Sequence, residues 1–424
     1  MNSPAPRAFA ALRNPQYRNF FICSTFATTA DSMEHVVSYW ILYQLFSSPT
    51  LGGVAVLTHW LPFLFFSVYA GSLADRFDPR RLIQISQALM MLVSLGWAIA
   101  ILTGSLTEWV AVLLLMMHGT FGVMTVPASQ LVVHEMVGRS DLQSAVRTNA
   151  SSRHLGWLLG PAIGGALMLA TSPAIALFVN MAFYLPVVTW AIVTRRRKRR
   201  EAAAARSDDA DIAVAPAPAP ARTGGFAEVA DTLRRVASDR VIFAMVILAG
   251  GAALFVGNAY QPQMPEFAHD LGGGHDHNAG IFYTMLLSAD AIGAITAVIV
   301  LESRGLLKPH PRTAIILTVL WCLALTGFAV TTVYPLAIAL MFAAGFLNLS
   351  FNAMAQTLVQ MRAPAEVRGR IVGLFATASL GLRAFSGVTV GVVGGLIGIH
   401  WSLAASAMAL LATAVVLLAL SMRR

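Results

Sequence analysis

The feature that most limits what this chain can become is the sorting of its cations. Apolar runs of about 20 residues, each long enough to cross a bilayer, follow one another along the chain, and all but two Lys and Arg residues fall in the termini and in alternate connections between the runs. Those connections are Arg76 to Arg81, Arg139 to Arg147, Arg195 to Arg240, Arg304 to Arg312 and Arg362 to Arg370. The intervening ones, near Ser48, Thr107, Ser172, Asp270, Tyr334 and His400, contain none. Of the 29 Lys and Arg residues, only Arg153 and Arg383 lie inside apolar runs. Basic loops stay on the cytoplasmic side during insertion, so the pattern predicts a multi-pass protein of a bacterial-type inner (plasma) membrane with both termini cytoplasmic. Composition agrees. With 57% hydrophobic and 12% charged residues, a soluble chain would lack the polar surface to cover itself. The net charge of +9 therefore reflects loop sorting, and no nucleic-acid partner is expected.

Twelve spans can be counted, at about 19–46, 51–73, 82–102, 109–133, 142–170, 174–194, 241–261, 279–301, 313–332, 335–361, 371–399 and 402–422. The expected fold class is an all-α membrane protein with twelve transmembrane helices in two pseudo-symmetric six-helix bundles, 1–194 and 241–424, joined by a cytoplasmic linker at 195–240. The linker's Ala-Pro alternation and mixed charges cannot bury a core, which predicts disorder over much of it. Phe226 to Asp239 reads as a short amphipathic helix on the inner surface. Cys23 and Cys322 fall in apolar runs and imply no disulfide framework. The N-terminal segment lacks the apolar core and cleavage site of a secretory signal. A monomer is expected.

Charged groups at mid-depth are expensive and mark function. Arg153 opens the stretch RHLGWLLGPAIGG, in which Gly156, Gly160, Gly164 and Gly165 allow close helix packing and Pro161 invites a bend. Arg153 stands eleven residues before Gly164-Gly165, and Arg383 stands eleven before Gly394-Gly395, a trace of duplication in spans five and eleven. In span one, Asp31, Glu34 and His35 share a helix face by their spacing. Two acids and a histidine on one face cannot all be ionised cheaply. We therefore expect Asp31 to pair with Arg153, while Glu34, assisted by His35, exchanges a proton; a static ion pair is the competing reading. Asp290 and Arg383, both at mid-depth, are expected to neutralise each other. Tyr39, Asn258, Tyr260, Asn348, Asn352 and Gln356 are candidates for a substrate cavity. The four-residue recurrence of Asn348, Asn352 and Gln356 fits an interhelical hydrogen-bond ladder equally well. The loop with His269, Asp270, His275, Asp276 and His277 has no fixed ligand spacing and reads as hydrated; no resident metal or cofactor is expected.

The segment GSLADRFDPRR at Gly71 resembles the loop between helices two and three of the major facilitator superfamily, matching at Gly71, Leu73, Asp75, Arg76, Arg80 and Arg81 and departing at Asp78-Pro79. In that family the loop latches the two halves in one state. Gly156, Gly160, Pro161, Gly164 and Gly165 resemble the superfamily's antiporter motif in helix five, which implies export. Helix four of many family antiporters has an arginine four residues before a glycine, where this chain has Leu115 before Gly119. His118 stands nearby, either as a substitute or as a packed helix partner. The PASQL end of span four (Pro127 to Leu131) and the PAEVRGR entry to span eleven (Pro364 to Arg370) are similar to the enterobactin-exporter-like and macrolide-exporter-like branch.

The expected function is proton-coupled efflux of a small amphipathic molecule, a siderophore or a drug, by alternating access. The alternatives are proton-coupled uptake of a metabolite or metal chelate, and a non-transporting receptor or scaffold. The receptor reading gives no reason for mid-depth Asp31, Glu34, Arg153, Asp290 and Arg383. No nucleophile elbow, phosphate loop or zinc spacing supports an enzyme.

Overall fold

The computed structural model of the chain describes residues 10–137, 142–208, 226–273, 279–304, 310–364 and 367–422. Arg139, His275, Asp276, His277 and the Ala-Pro part of the linker lie outside these residues, as does the side chain of Asp75 within them. The first half holds α1 (Pro15–Phe46), α2 (Pro49–Arg76), α3 (Pro79–Leu102), α4 (Glu108–Met136), α5 (Leu142–Ala170) and α6 (Pro173–Asp208). After α7 (Phe226–Ser238) come α8 (Arg240–Gly251), α9 (Met264–Ala268), α10 (Ala279–Arg304), α11 (Pro311–Val330), α12 (Tyr334–Arg362), α13 (Arg368–Ala376), α14 (Arg383–Ser386), α15 (Val393–Ile397) and α16 (Ile399–Met422).

Helix starts follow from local chemistry. Proline opens α1, α2, α3, α6 and α11, where its missing N–H would have no helical partner. The side chains of Asn14, Ser48, Asp78, Thr107, Asp239 and His310 accept hydrogen bonds from the first free amides of their helices. Nine helices among the described residues are long and apolar enough to cross a membrane. The helix pair Ala230–Ser238 and Arg240–Val256, bent by 112°, passes the same measure together, and α5 contributes the shorter apolar stretch Leu155–Ala170.

The halves repeat one packing scheme. In the first, α1 packs on α5 and α6, α2 on α4, and α3 on α4 and α6. In the second, α10 packs on α12 and α11 on α12 and α16, while the broken rod α8–α9 packs on α14 and α16. These are the same pairings displaced by six helices, as duplicated bundles require. The halves meet where α2 runs along the α14 rod and α5 along α10.

Two rods depart from regular helix. The seventh leaves α8 through a π turn at Ala252–Val256 and breaks at Gly257, whose φ of 48° disfavours any residue with a Cβ. The eleventh has π turns at Thr377–Gly381 and Gly387–Val392 on either side of Arg383. The breaks meet: a Cβ on Gly257 would overlap Ser386. Carbonyls freed by them are satisfied by side chains, since Thr389 donates to Leu254 O and Phe255 O at 3.0 and 2.9 Å and Ser402 donates to Val390 O at 2.7 Å.

The linker differs from expectation. Helix α6 continues through 195–208 because Arg, Lys, Glu and Ala are good helix formers and Arg197 pairs with Glu201 one turn on, at 2.7 Å. The predicted surface helix is present as α7, which turns 112° from the helix that follows and buries Thr232 and Val236.

Candidate functional site

The acids of α1 meet a partner that the sequence reading undervalued. Asp31 and Glu34 face α4, where His118 is almost completely buried and bridges them: its Nε2 lies 2.7 Å from Asp31 Oδ1 and its Nδ1 lies 2.7 Å from Glu34 Oε1. Two such contacts need two protons among three groups, because an ionised carboxylate only accepts. Either an imidazolium sits between two carboxylates, or a neutral imidazole joins one carboxylate and one carboxylic acid. The acids differ in access: the Asp31 side chain is 31% exposed and that of Glu34 only 3%. Glu34 also accepts from the Ser94 hydroxyl of α3, and Asn180 of α6 donates to Ser94 at 3.1 Å. The expected pairing of Asp31 with Arg153 is not made, because His118 takes the carboxylate.

His35 continues the network. Its Nδ1 donates to the Asp31 carbonyl at 2.6 Å, so its Nε2 is free to accept and faces His59 Nδ1 of α2 at 3.3 Å. One nitrogen each from His35, His59 and His118 lies within 4.8 Å of the others, a spacing that suits a metal ion. Both His118 nitrogens are held by carboxylates, which leaves two free imidazoles where even an open catalytic zinc site takes three protein ligands. As arranged, His118 joins the two acids and His35 joins the Asp31 carbonyl to His59.

The second half holds the other predicted charges, and here too the expected pair is not formed. Asp290 on α10 accepts from the Tyr260 hydroxyl at 3.2 Å. Arg383 donates to Asn258 Oδ1 at 2.9 Å and to Ser379 O at 3.1 Å, and its guanidinium lies 5.3 Å from the Trp60 ring of the other half. Broken rods set these positions, which is why helical depth misjudged them. Arg153 is exposed on α5. It has no ion pair among the described residues.

Of the remaining candidates, Tyr39 is buried edge-on against His35, with ring centres 5.4 Å apart. Asn352 donates to the Asn348 side chain and carbonyl, both at 2.9 Å, so the stripe bonds along its own helix, with Gln356 exposed. The helix-five glycines serve packing: a Cβ on Gly156 would overlap Thr28, one on Gly160 would overlap Ser32, and one on Gly164 would crowd Met33, all on α1. Gly165 approaches Thr284 of the other half, and Pro161 lies within α5 without ending it. In the loop after α2, Arg80 pairs with Glu135 at 2.6 Å inside its own half, Arg76 and Arg81 are exposed, and a Cβ on Gly71 would meet open space. No ion pair among the described residues joins the halves at this basic end. At the far end His269 and His400 flank Asp270, each 3.1 Å from a carboxylate oxygen.

Residues 6–424 match the family model described as transmembrane secretion effector. The chain is 25% identical over 187 residues, 42% of its length and 43% of the relative's, to the uncharacterised MFS-type transporter YfiS of Bacillus subtilis (strain 168). It is 32% identical over 135 residues, 30% of its length and 28% of the relative's, to MdtD of Salmonella typhi, whose name assigns it to multidrug resistance. The chain thus spans less than half the length of each of these curated relatives. Among solved structures it resembles a bacterial homolog of the human lysosomal transporter Spinster in its inward-facing, occupied conformation, with TM-score 0.67, 13% identity and 97% of both chains covered. The nucleoside transporter NupG gives TM-score 0.66 and 13% identity over 96% of this chain and 99% of that one. The peptide transporter POT in complex with sulfate gives 0.68 and 13% over 97% and 95%. At such identities the likeness is one of fold.

Proposed function

Because the chain belongs to the transmembrane secretion effector family of major facilitator transporters, we propose that it exports a small amphipathic molecule across the inner membrane in exchange for protons. The membership itself makes it a membrane transporter of small molecules and not an enzyme. The observation that carries the finer reading is the Asp31–His118–Glu34 bridge. It links a partly exposed acid to a sealed one through a group that can hold a proton on either side. In this mechanism Asp31 exchanges protons with the cleft, His118 relays them, and Glu34, steadied by Ser94, stores one while the halves reorient. The drug-resistance name of MdtD supports export, and the antiporter-like glycines of α5 agree with it. The alternation of basic loops supports a cytoplasmic position for the end that carries Gly71, and with it an inward-open conformation.

Proteoliposome flux with a panel of amphipathic dyes tests the reading. Glu34→Gln and Asp31→Asn should each abolish gradient-driven export while leaving dye exchange without a gradient. Unchanged pH-driven export in both variants would overturn the coupling role.

A further inference from the structure

We propose that Arg153 and Arg383 together form the recognition site for an anionic group on the transported molecule, so that the cargo is an amphipathic anion: a carboxylate or similar oxyanion on an apolar or aromatic body. The inference rests on the transport reading and narrows it.

Three observations carry it. First, the acids at this depth are engaged elsewhere. Asp31 and Glu34 are bridged by His118 and Asp290 is held by Tyr260. Neither arginine has an ion pair among the described residues, although a mid-membrane guanidinium without a counterion is costly. Second, the two cations come from opposite halves, at repeat-related positions in the fifth and eleventh rods. Third, the surroundings orient without neutralising. Arg383 is fixed by Asn258, by the Ser379 carbonyl and by the Trp60 ring, which leaves its other terminal nitrogen free to donate. Trp60 continues into Phe63, ring centres 5.2 Å apart and tilted by 44°, an aromatic apolar surface beside the charge. Arg153 is exposed on α5 with no ion pair among the described residues, and a guanidinium is the side chain that suits bidentate capture of an oxyanion.

The pair also suggests why cargo promotes reorientation. Like charges on opposite halves oppose closure of the halves at the basic end. An anion between them turns that repulsion into two attractions, and a ligand shifts a conformational equilibrium only through such a difference between states.

The test uses purified full-length protein in detergent, with 2-naphthoate, its neutral amide and 2-naphthylmethylammonium as probes, read by tryptophan quenching and thermal shift. Wild-type protein should prefer the acid to the amide by at least about tenfold, with the cation weakest. Arg153→Gln and Arg383→Gln should each erase that preference, and Arg153→Lys should retain part of it. Amide binding and the thermal midpoint report folding of each variant, and the acid-against-amide comparison in wild type needs no variant at all. Equal affinity for acid and amide in wild type would overturn the proposal, as would a preference that survives in both Gln variants. Proteoliposomes separate the two readings. Proton-driven efflux of a dye without any naphthoate preference refutes the anion site and leaves transport standing. A clear naphthoate preference with no proton-driven flux of naphthoate or dye supports the site and refutes transport.

Discussion

At the scale of single residues, reach in space matters more than spacing in sequence. Glu266 in α9 is half-buried beside Tyr43, Asp270, His269 and His400, and it lines a small pocket with Tyr39, Leu42 and Gln263 where the far ends of the halves meet. Burial, reinforced by the negative charge of Asp270 and partly offset by the two histidines, pushes its carboxyl up to about 7. The proton-bound form therefore belongs to the closed gate. Its contribution to closure is fully present below the ordinary glutamate range and is lost as pH rises through about 7. With Cys23 and Cys322 replaced by Ala, alkylation of Leu42→Cys should accelerate between pH 5 and pH 8, and adding Glu266→Gln should hold it slow throughout; a flat wild-type profile would refute this. The sequence made part of the proposed coupling site legible: Asp31, Glu34 and His35 share a face by spacing within one helix. His118 lies 84 residues from Glu34, and His59, Ser94 and Asn180 come from three further helices. Periodicity speaks only for neighbours on the same helix, so a lone mid-span histidine looked like ordinary packing until α1 and α4 were brought together.

At the scale of elements, helix five shows how a motif and a charge divide the work. Gly156, Gly160 and Gly164 bring α5 against Thr28, Ser32 and Met33 of α1, which holds the α1 acids in place for His118. A side chain at Gly160 would press on Ser32 Cβ, which is fixed to the backbone and cannot swing aside. Gly160→Val should cost about 1–3 kcal/mol of overpacking, read as a lower thermal midpoint in detergent. It should also slow proton-driven flux while leaving the acid-over-amide preference of the arginines intact. Equal loss of both would mean that the helix had collapsed and had not merely displaced the α1 acids. The breaks in the seventh and eleventh rods were less legible. Glycine and small residues are common in membrane helices, so Gly257 beside Asn258 gave no sign that it would meet Ser386, or that π turns would turn Arg383 toward Trp60 and away from Asp290. Depth counted along a continuous helix does not account for such breaks, so it misplaces both partners.

At the scale of the whole molecule, the charge alternation and the Arg-to-Gly-Gly repeat foretold two related bundles, because bilayer insertion and duplication act on the entire chain. They were silent about which end is open, since both ends exist in the same sequence. The contacts supply that. At the far end Gln263 donates to Pro49 O at 2.8 Å, Tyr283 donates to Val36 O at 3.0 Å, and Gly53 of α2 is seated so closely on Gly387 and Gly391 that backbone meets backbone. At the basic end, Gly71 and Gly373 face open space. If the halves rock as units, the glycine contact is the stop against which the far end closes, and filling it must open that end. Gly53→Val would drive a branched side chain into the Gly387 carbonyl, which has no rotamer to escape into. Leu42→Cys alkylation should then rise by about tenfold at pH 5, where protonated Glu266 otherwise favours closure. Flux should fall although every residue of the coupling bridge and the arginine pair is untouched. Slow alkylation in Gly53→Val with normal flux would show that the halves separate elsewhere and that this contact is packing alone.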